Sequence, residues 1–158
     1  RLARLGIPRR ILARGDRLAF GGCEVEVLWP PAGSADVVPP PAELNANSLV
    51  LMLRCGGSRA LLPADATTAV LSALSGGTGG IHAAVLKIPH HGGRDAYSEE
   101  FLSAVSPGIA VLSVGENPWG NPSADVVAAY ERRTRVMRTD RDGAVRVLLD
   151  GSGRAVIE

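Results

Sequence analysis

The order of elements predicts an α/β domain of layered sheets with helices on their outer faces. Three observations lead there. The first half reads as strands joined by tight turns, the second half alternates strands with helices, and an apolar strand from Ala83 to Ile88 stops at Pro89-His90-His91-Gly92-Gly93. That last run places two imidazoles and two glycines at a strand exit, where α/β folds carry their chemistry.

Taken in order, Arg1 to Arg14 mixes Leu2, Leu5, Ile7 and Ile11-Leu12 with arginines, and Pro8 interrupts any helix. It predicts a short helix or turn leading into a strand. Gly15-Asp16 marks a turn, and Arg17 to Phe20, Gly21-Gly22 and Cys23 to Trp29 predict a hairpin. In its second strand Val25 and Val27 alternate with Glu24 and Glu26, so one face is buried and the other wet. Pro30-Pro31 ends it, and the segment through Pro39-Pro40-Pro41 reads as a surface loop. Asn45-Ala46-Asn47-Ser48 opens a third strand, Leu49 to Cys55, which Gly56-Gly57 turns into a fourth, Arg59 to Leu62.

Ala66 to Leu74 has the Val70, Leu71, Leu74 spacing of a helix docked by one face, and Gly76-Gly77 stops it. After the central strand, Tyr97 to Val105 predicts a helix with Phe101, Leu102 and Val105 inward and Ser98 as N-cap. Ile109 to Val114 is a further buried strand, and Ser123 to Arg132 a further helix. Val136 and Arg138, then Ala144 to Leu149, predict the last strands across a charged hairpin turn, Arg138-Thr139-Asp140-Arg141-Asp142-Gly143.

The gross numbers narrow the function classes. A length of 158 residues with 46% apolar side chains suits one α/β core. The 17 basic and 16 acidic residues give a formal net charge of +1, so contact with nucleic acid rests on a local surface rather than on overall charge. No stretch approaches the ~18 consecutive apolar residues of a membrane span. Cys23 and Cys55 lack Cys-x-x-Cys spacing and read as packing residues, as do the Met and Trp positions. The chain starts at Arg1 without a methionine, and its opening reads as the end of a preceding element, hence as part of a longer protein.

Three loops leave three strands with ligand-capable residues: Asp65, the His90-His91 pair, and Asn117 with Asn121. If the strands are neighbours the loops meet on one rim. Carboxylate and imidazole without thiolate suit zinc or manganese in a hydrolytic role. Each residue has a plainer reading beside this one. Asp65 precedes a helix and can cap it; Asn45, Asn47 and Ser48 can be turn formers that bond their own backbone; His82, at the opposite rim, reads as a surface residue. Adjacent imidazoles between a buried strand and a glycine pair serve packing poorly, which favours a site there.

Five blocks in order carry a resemblance: Asn45-Ala46-Asn47-Ser48-Leu49-Val50-Leu51, Leu61-Leu62-Pro63-Ala64-Asp65, Val85 through Gly93, Ser113-Val114-Gly115 with Asn117-Pro118-Trp119-Gly120-Asn121-Pro122, and Arg138 through Gly143. The sequence resembles the metallo-β-lactamase-like domain of the ComEC/Rec2 competence proteins, with residues 1–158 as its C-terminal portion. The resemblance implies an αββα sandwich incomplete at the N-terminus, formed by two mixed sheets with helices outside. It further implies a polytopic membrane parent that takes up transforming DNA, with this domain soluble and extracytoplasmic. The expected chemistry is two-metal hydrolysis of a phosphodiester in one DNA strand.

On that mapping Asp65 and His91 are catalytic, Asp65, His90 and His91 hold zinc or manganese, and Asn45, Asn47, Ser48, Lys87, Gly92, Asn117 and Asn121 contact substrate or support the ligands. The expected partners are DNA and the membrane channel of the same parent, without a stable homo-oligomer. The sequence also departs from the pattern. The superfamily's His-x-His-x-Asp-His cluster is absent, its Thr-Gly-Asp is Pro63-Ala64-Asp65, its His-His-Gly-Ser ends in Gly93, and its His-Pro is Asn121-Pro122. These departures predict weak metal binding and no nuclease activity for this chain alone. The alternative is a non-catalytic module that guides DNA or supports the channel; a third reading is a hydrolase of small phosphoesters or esters.

Overall fold

Seven strands join in chain order into one mixed sheet, seen in a computed structural model that describes residues 2–8, 10–34 and 40–158. A 3₁₀ turn at Leu2–Leu5 precedes the hairpin of β1 (Arg17–Phe20) and β2 (Cys23–Trp29), as expected. Arg1, Arg9 and residues 35–39 of the expected proline-rich loop lie outside the described residues. β3 (Val50–Cys55) pairs antiparallel with β2 and with β4 (Ser58–Leu62). β5 (Val85–Lys87), β6 (Ile109–Leu112) and β7 (Arg135–Arg138) then add in parallel, joined by helices α1 (Thr68–Ser75), α2 (Glu99–Val105) and α3 (Ala124–Glu131). The predicted change from hairpins to strand–helix alternation is thus the change from antiparallel to parallel pairing, since parallel neighbours need a crossover.

All three helices cover the same face. Val50, Met52, Leu61, Leu86, Ala110 and Leu112 of the sheet form one cluster with Leu71 of α1, Phe101 of α2 and Tyr130 of α3. Each fully buried apolar side chain contributes roughly 1.5–3 kcal/mol, which makes this cluster the main source of stability. The opposite face is less covered. There Leu51, Leu53, Val111 and Met137 are half-buried and Leu62 is exposed, and Lys87 shares their side through its register with Val111. Ser98 caps α2 as predicted, its hydroxyl accepting from Phe101 N at 3.1 Å.

Four expectations need correction. Asn45 and Asn47 lie in a 3₁₀ helix, Pro41–Asn47, before β3 rather than in a turn that opens it; Pro41 sits in its first turn, where the missing N–H is no loss. Arg138 to Gly143 is not a hairpin turn, because Thr139–Asp142 coils into a single-turn helix, α4, and β7 pairs only with β6. Arg138 N donates to Asp142 Oδ2 at 2.7 Å and closes that coil. β8 (Val147–Leu149) instead pairs with a strand the pattern missed, β9 (Ala155–Ile157), in a separate two-stranded sheet. Its turn is pinned under the β3–β4 turn by Ser58, whose buried hydroxyl accepts from Gly151 N and Gly153 N, each at 3.1 Å.

The fourth correction concerns the cysteines. Cys23 and Cys55 face each other across β2 and β3 with Cα atoms 4.4 Å apart, and they form a disulfide. Directly opposed residues in a non-hydrogen-bonded antiparallel pair approach about this closely, so the register itself brings the thiols together. Sequence spacing could not reveal the pairing, because it depends on two hairpins being in register.

Candidate active site

The C-terminal ends of β4, β5 and β6 open on a cleft of ≈ 860 Å³ lined by Asn45, Asp65, His90, His91, Arg94, Asp95 and residues 119–124. The expected convergence of three loops is therefore observed as geometry. Asn45 reaches the same cleft from the 3₁₀ helix before β3, while Asn47 and Ser48 do not line it.

The bend after β5 brings the histidines in. Pro89 ends the strand, and His90 and His91 both adopt left-handed backbone, at φ +43° and +51°. Such conformations each cost of order 1–3 kcal/mol in a residue with a side chain, and they persist where the surroundings impose them. Here His90 N donates to Ala64 O at 3.0 Å, joining the β5 exit to the β4 exit, and Ala64 is itself left-handed at φ +51°. Gly92 follows at φ +74°, buried against Pro122; a Cβ there would stand 2.9 Å from Pro122 Cβ and 3.2 Å from Leu112 Cδ1. Gly92 O also accepts from Ser123 N at 2.9 Å. Gly92 thus fastens the histidine turn to the loop after β6 and does not line the cleft itself.

The two imidazoles face different partners. His91 Nε2 lies 3.5 Å from Asp65 Oδ1, and its Nδ1 lies 2.6 Å from the Ser113 carbonyl oxygen. A carbonyl only accepts, so Nδ1 carries a proton and Nε2 is the nitrogen turned to the carboxylate side of the cleft. His90 Nε2 lies 3.4 Å from the Asn45 amide nitrogen, and its buried Nδ1 is 3.3 Å from Asp95 Oδ1 but outside hydrogen-bond geometry. Of the pair, His91 shares space with Asp65.

Lys87 approaches the same carboxylate. Its ammonium donates to Ala64 O at 3.0 Å and lies 3.8 Å from Asp65 Oδ1. Burial pushes the Lys87 pKa below the usual lysine range, with the Asp65 carboxylate acting against that shift. Asp65 does not cap α1, whose N-cap position is Thr67.

Asn117 and Asn121 differ in role. Asn117 Oδ1 accepts from Trp119 N at 3.2 Å and Asn121 N at 3.1 Å, while its Nδ2 donates to Gly115 O and Asn121 O. All its polar capacity holds the loop, and Asn121 is presented to the cleft. Thr139 anchors the base of that loop, its hydroxyl accepting from Val114 N at 2.8 Å.

Two residues were not foreseen. Trp29 behaves as a packing residue, its indole N–H donating to Ala46 O at 2.6 Å, but Trp119 stands on the cleft rim 80% exposed. Arg94 lies on the same cleft, and an arginine just past the Gly92-Gly93 pair was the one available signal.

The donor set falls short of a metal centre. Among the described residues no group of three or more His, Cys, Asp or Glu side chains could hold a metal ion. Asp65 and His91 supply two donors where a hydrolytic zinc site needs at least three from protein. Lys87 also brings a positive charge to the same Asp65 oxygen that faces His91. These residues alone do not fit a resident metal.

No family model matches the chain. Among curated proteins it is 32% identical to "ComE operon protein 3" of Bacillus subtilis over 89% of its length, 35% identical to "Competence protein ComA" of Neisseria gonorrhoeae over 69%, and 34% identical to "Recombination protein 2" of Haemophilus influenzae over 65%. The chain spans 18%, 16% and 13% of those proteins. Among solved structures, a mutant of the CmlA beta-hydroxylase superposes with a TM-score of 0.53 at 14% identity, covering 87% of this chain and 34% of that one. That likeness shows the fold, which is of the metallo-β-lactamase type.

Proposed function

The chain belongs to the ComEC/Rec2 family of competence proteins, and on that premise we propose that it is the C-terminal portion of a DNA-handling domain whose complete form hydrolyses one strand of incoming DNA. The observation that carries this reading is the Asp65–His91 pair at 3.5 Å on a cleft of ≈ 860 Å³, with the Nδ1 side of the imidazole held by the Ser113 carbonyl. A carboxylate and an oriented imidazole lone pair are the donors a divalent cation of the zinc or manganese class takes in phosphodiester hydrolysis. On this reading the complete form supplies the remaining donors, since the third histidine here, His82, lines a different pocket.

We further place the domain on the extracytoplasmic side of a membrane-bound parent that supplies the DNA channel. The Cys23–Cys55 disulfide supports that side, because such bonds persist in oxidising compartments. None of the helices among the described residues is long and apolar enough to cross a membrane.

A second reading is favoured by one observation. Lys87 already sets a cation beside Asp65, which suits a non-catalytic module that guides DNA. A nuclease assay on single-stranded DNA with manganese or zinc separates the two. The chain alone gives no cleavage under either reading; joined to the upstream part of its parent it cleaves, and His91→Ala abolishes this, only under the first. Robust cleavage by the isolated chain, lost in His91→Ala, overturns the incomplete-site proposal.

A further inference from the structure

Trp119 exposes 80% of its surface, yet it sits on a tightly held loop. An indole is the largest apolar payload a chain can bury, so leaving it in water forgoes stability that packing would supply. The loop does not move it aside. The Asn117 side chain makes four hydrogen bonds within residues 115–121, one of them to the Trp119 backbone. The backbone that carries the ring is therefore held in place, and the residue lines both the main cleft and a second pocket of ≈ 190 Å³ that also contains His91 and Asn121.

Arg94 lines the same cleft. The acidic groups there have other basic partners: Asp65 lies 3.8 Å from the Lys87 ammonium and 3.5 Å from His91 Nε2, and Asp95 lies 3.3 Å from His90 Nδ1. Among the described residues Arg94 makes no ion pair, which leaves its positive charge directed to solvent at the cleft mouth. An exposed aromatic surface and a guanidinium without an ion pair, both lining one cleft, suit an unstacked base next to a phosphate. Duplex DNA does not offer it, since its bases are stacked inside the helix.

We infer that Trp119 and Arg94 form a grip for single-stranded DNA at the cleft mouth, the indole stacking on one base and the guanidinium holding an adjacent phosphate. The grip rests on the DNA-handling reading above and adds to it the residues that hold the strand. It also gives Asn117 a positioning role, because its hydrogen bonds hold the backbone from which the ring projects.

The test measures anisotropy of a labelled oligo-dT and of an abasic oligomer of equal length and charge, titrated with the chain at low salt. Wild type binds oligo-dT more tightly than the abasic strand. Trp119→Ala removes that preference, a loss of roughly 5- to 150-fold for one stacked base, and leaves the abasic affinity unchanged; Trp119→Phe retains most of it. Arg94→Ala weakens both ligands and lowers the salt dependence by about one counterion. If Trp119→Ala binds oligo-dT as wild type does, the grip is overturned while the DNA-handling reading stands. If wild type binds neither strand, both fall.

Discussion

Asp65 Oδ1 lies 3.5 Å from His91 Nε2, while the other nitrogen of that ring is held 2.6 Å from the Ser113 carbonyl. The carbonyl sits at the end of β6 and the carboxylate at the end of β4, so the imidazole of the β5 loop is oriented by both of its strand neighbours. The neutral ring is expected to be the Nδ1–H tautomer, and long-range ¹H–¹⁵N spectra of the His91 ring read it directly. A complete zinc shell is worth about 10–16 kcal/mol. Two donors keep roughly half of that, so zinc is expected to bind at micromolar to sub-millimolar Kd, and Asp65→Ala to weaken it at least about tenfold. Nanomolar zinc binding would show that further donors exist in the chain.

Gly92 is the position where the histidine turn and the β6 loop leave no room. A Cβ at φ +74° meets Pro122 at 2.9 Å and Leu112 at 3.2 Å. Gly92→Ala combines a left-handed backbone penalty of about 1–2 kcal/mol with overpacking of about 1–3 kcal/mol, for an expected loss of about 2–5 kcal/mol by urea unfolding. Gly115→Ala, where the added carbon meets nothing within 4 Å, is the control and stays within about 0.5 kcal/mol.

Much of this arrangement was legible in the sequence because it follows from local rules. Pro89 ends a buried strand, Gly92 permits a left-handed bend, and Ser98 caps a helix, each for reasons contained in a few neighbouring residues. That Asp65 and the histidine pair meet on one cleft was legible for the same reason. What stayed hidden depends on partners remote in sequence. The disulfide needs the register of two hairpins, β9 needs β8 as its partner, and the division of labour between His90 and His91 needs Ser113, Asn45 and Asp95. Exposure of Trp119 was invisible because an aromatic residue in a sequence pattern reads as core.

The Cys23–Cys55 bond closes a loop across a sequence separation of 32 residues. In the chain-entropy treatment a loop of that length removes about 3–4 kcal/mol of unfolded-state freedom. Reduction, or Cys23→Ser with Cys55→Ser, is expected to lower the unfolding free energy by that amount while leaving the far-UV spectrum in native buffer unchanged. Because both cysteines lie at the far end of β2 and β3 from the cleft, oligo-dT affinity at a temperature where the variant remains folded should also be unchanged.

Acid unfolding should report on the charged pair beneath the same hairpins. The Arg54 guanidinium donates to Glu26 Oε2 through Nη2 at 2.8 Å and Nε at 3.2 Å, with Arg17 at 3.4 Å from the other oxygen. This hydrogen-bonded guanidinium holds the Glu26 carboxyl below the usual glutamate range. A carboxyl depressed in the folded state binds fewer protons than in the unfolded chain. Its stabilisation is therefore fully present above the unfolded pKa of about 4.3 and is lost as pH falls through the lower folded value. Glu26→Gln should reduce stability by about 1 kcal/mol at pH 7. The deficit should shrink below about pH 4, until the two proteins unfold at the same urea concentration near pH 2. A deficit that persists unchanged at that pH would assign the loss to packing of the side chain between β1 and β3 rather than to its charge.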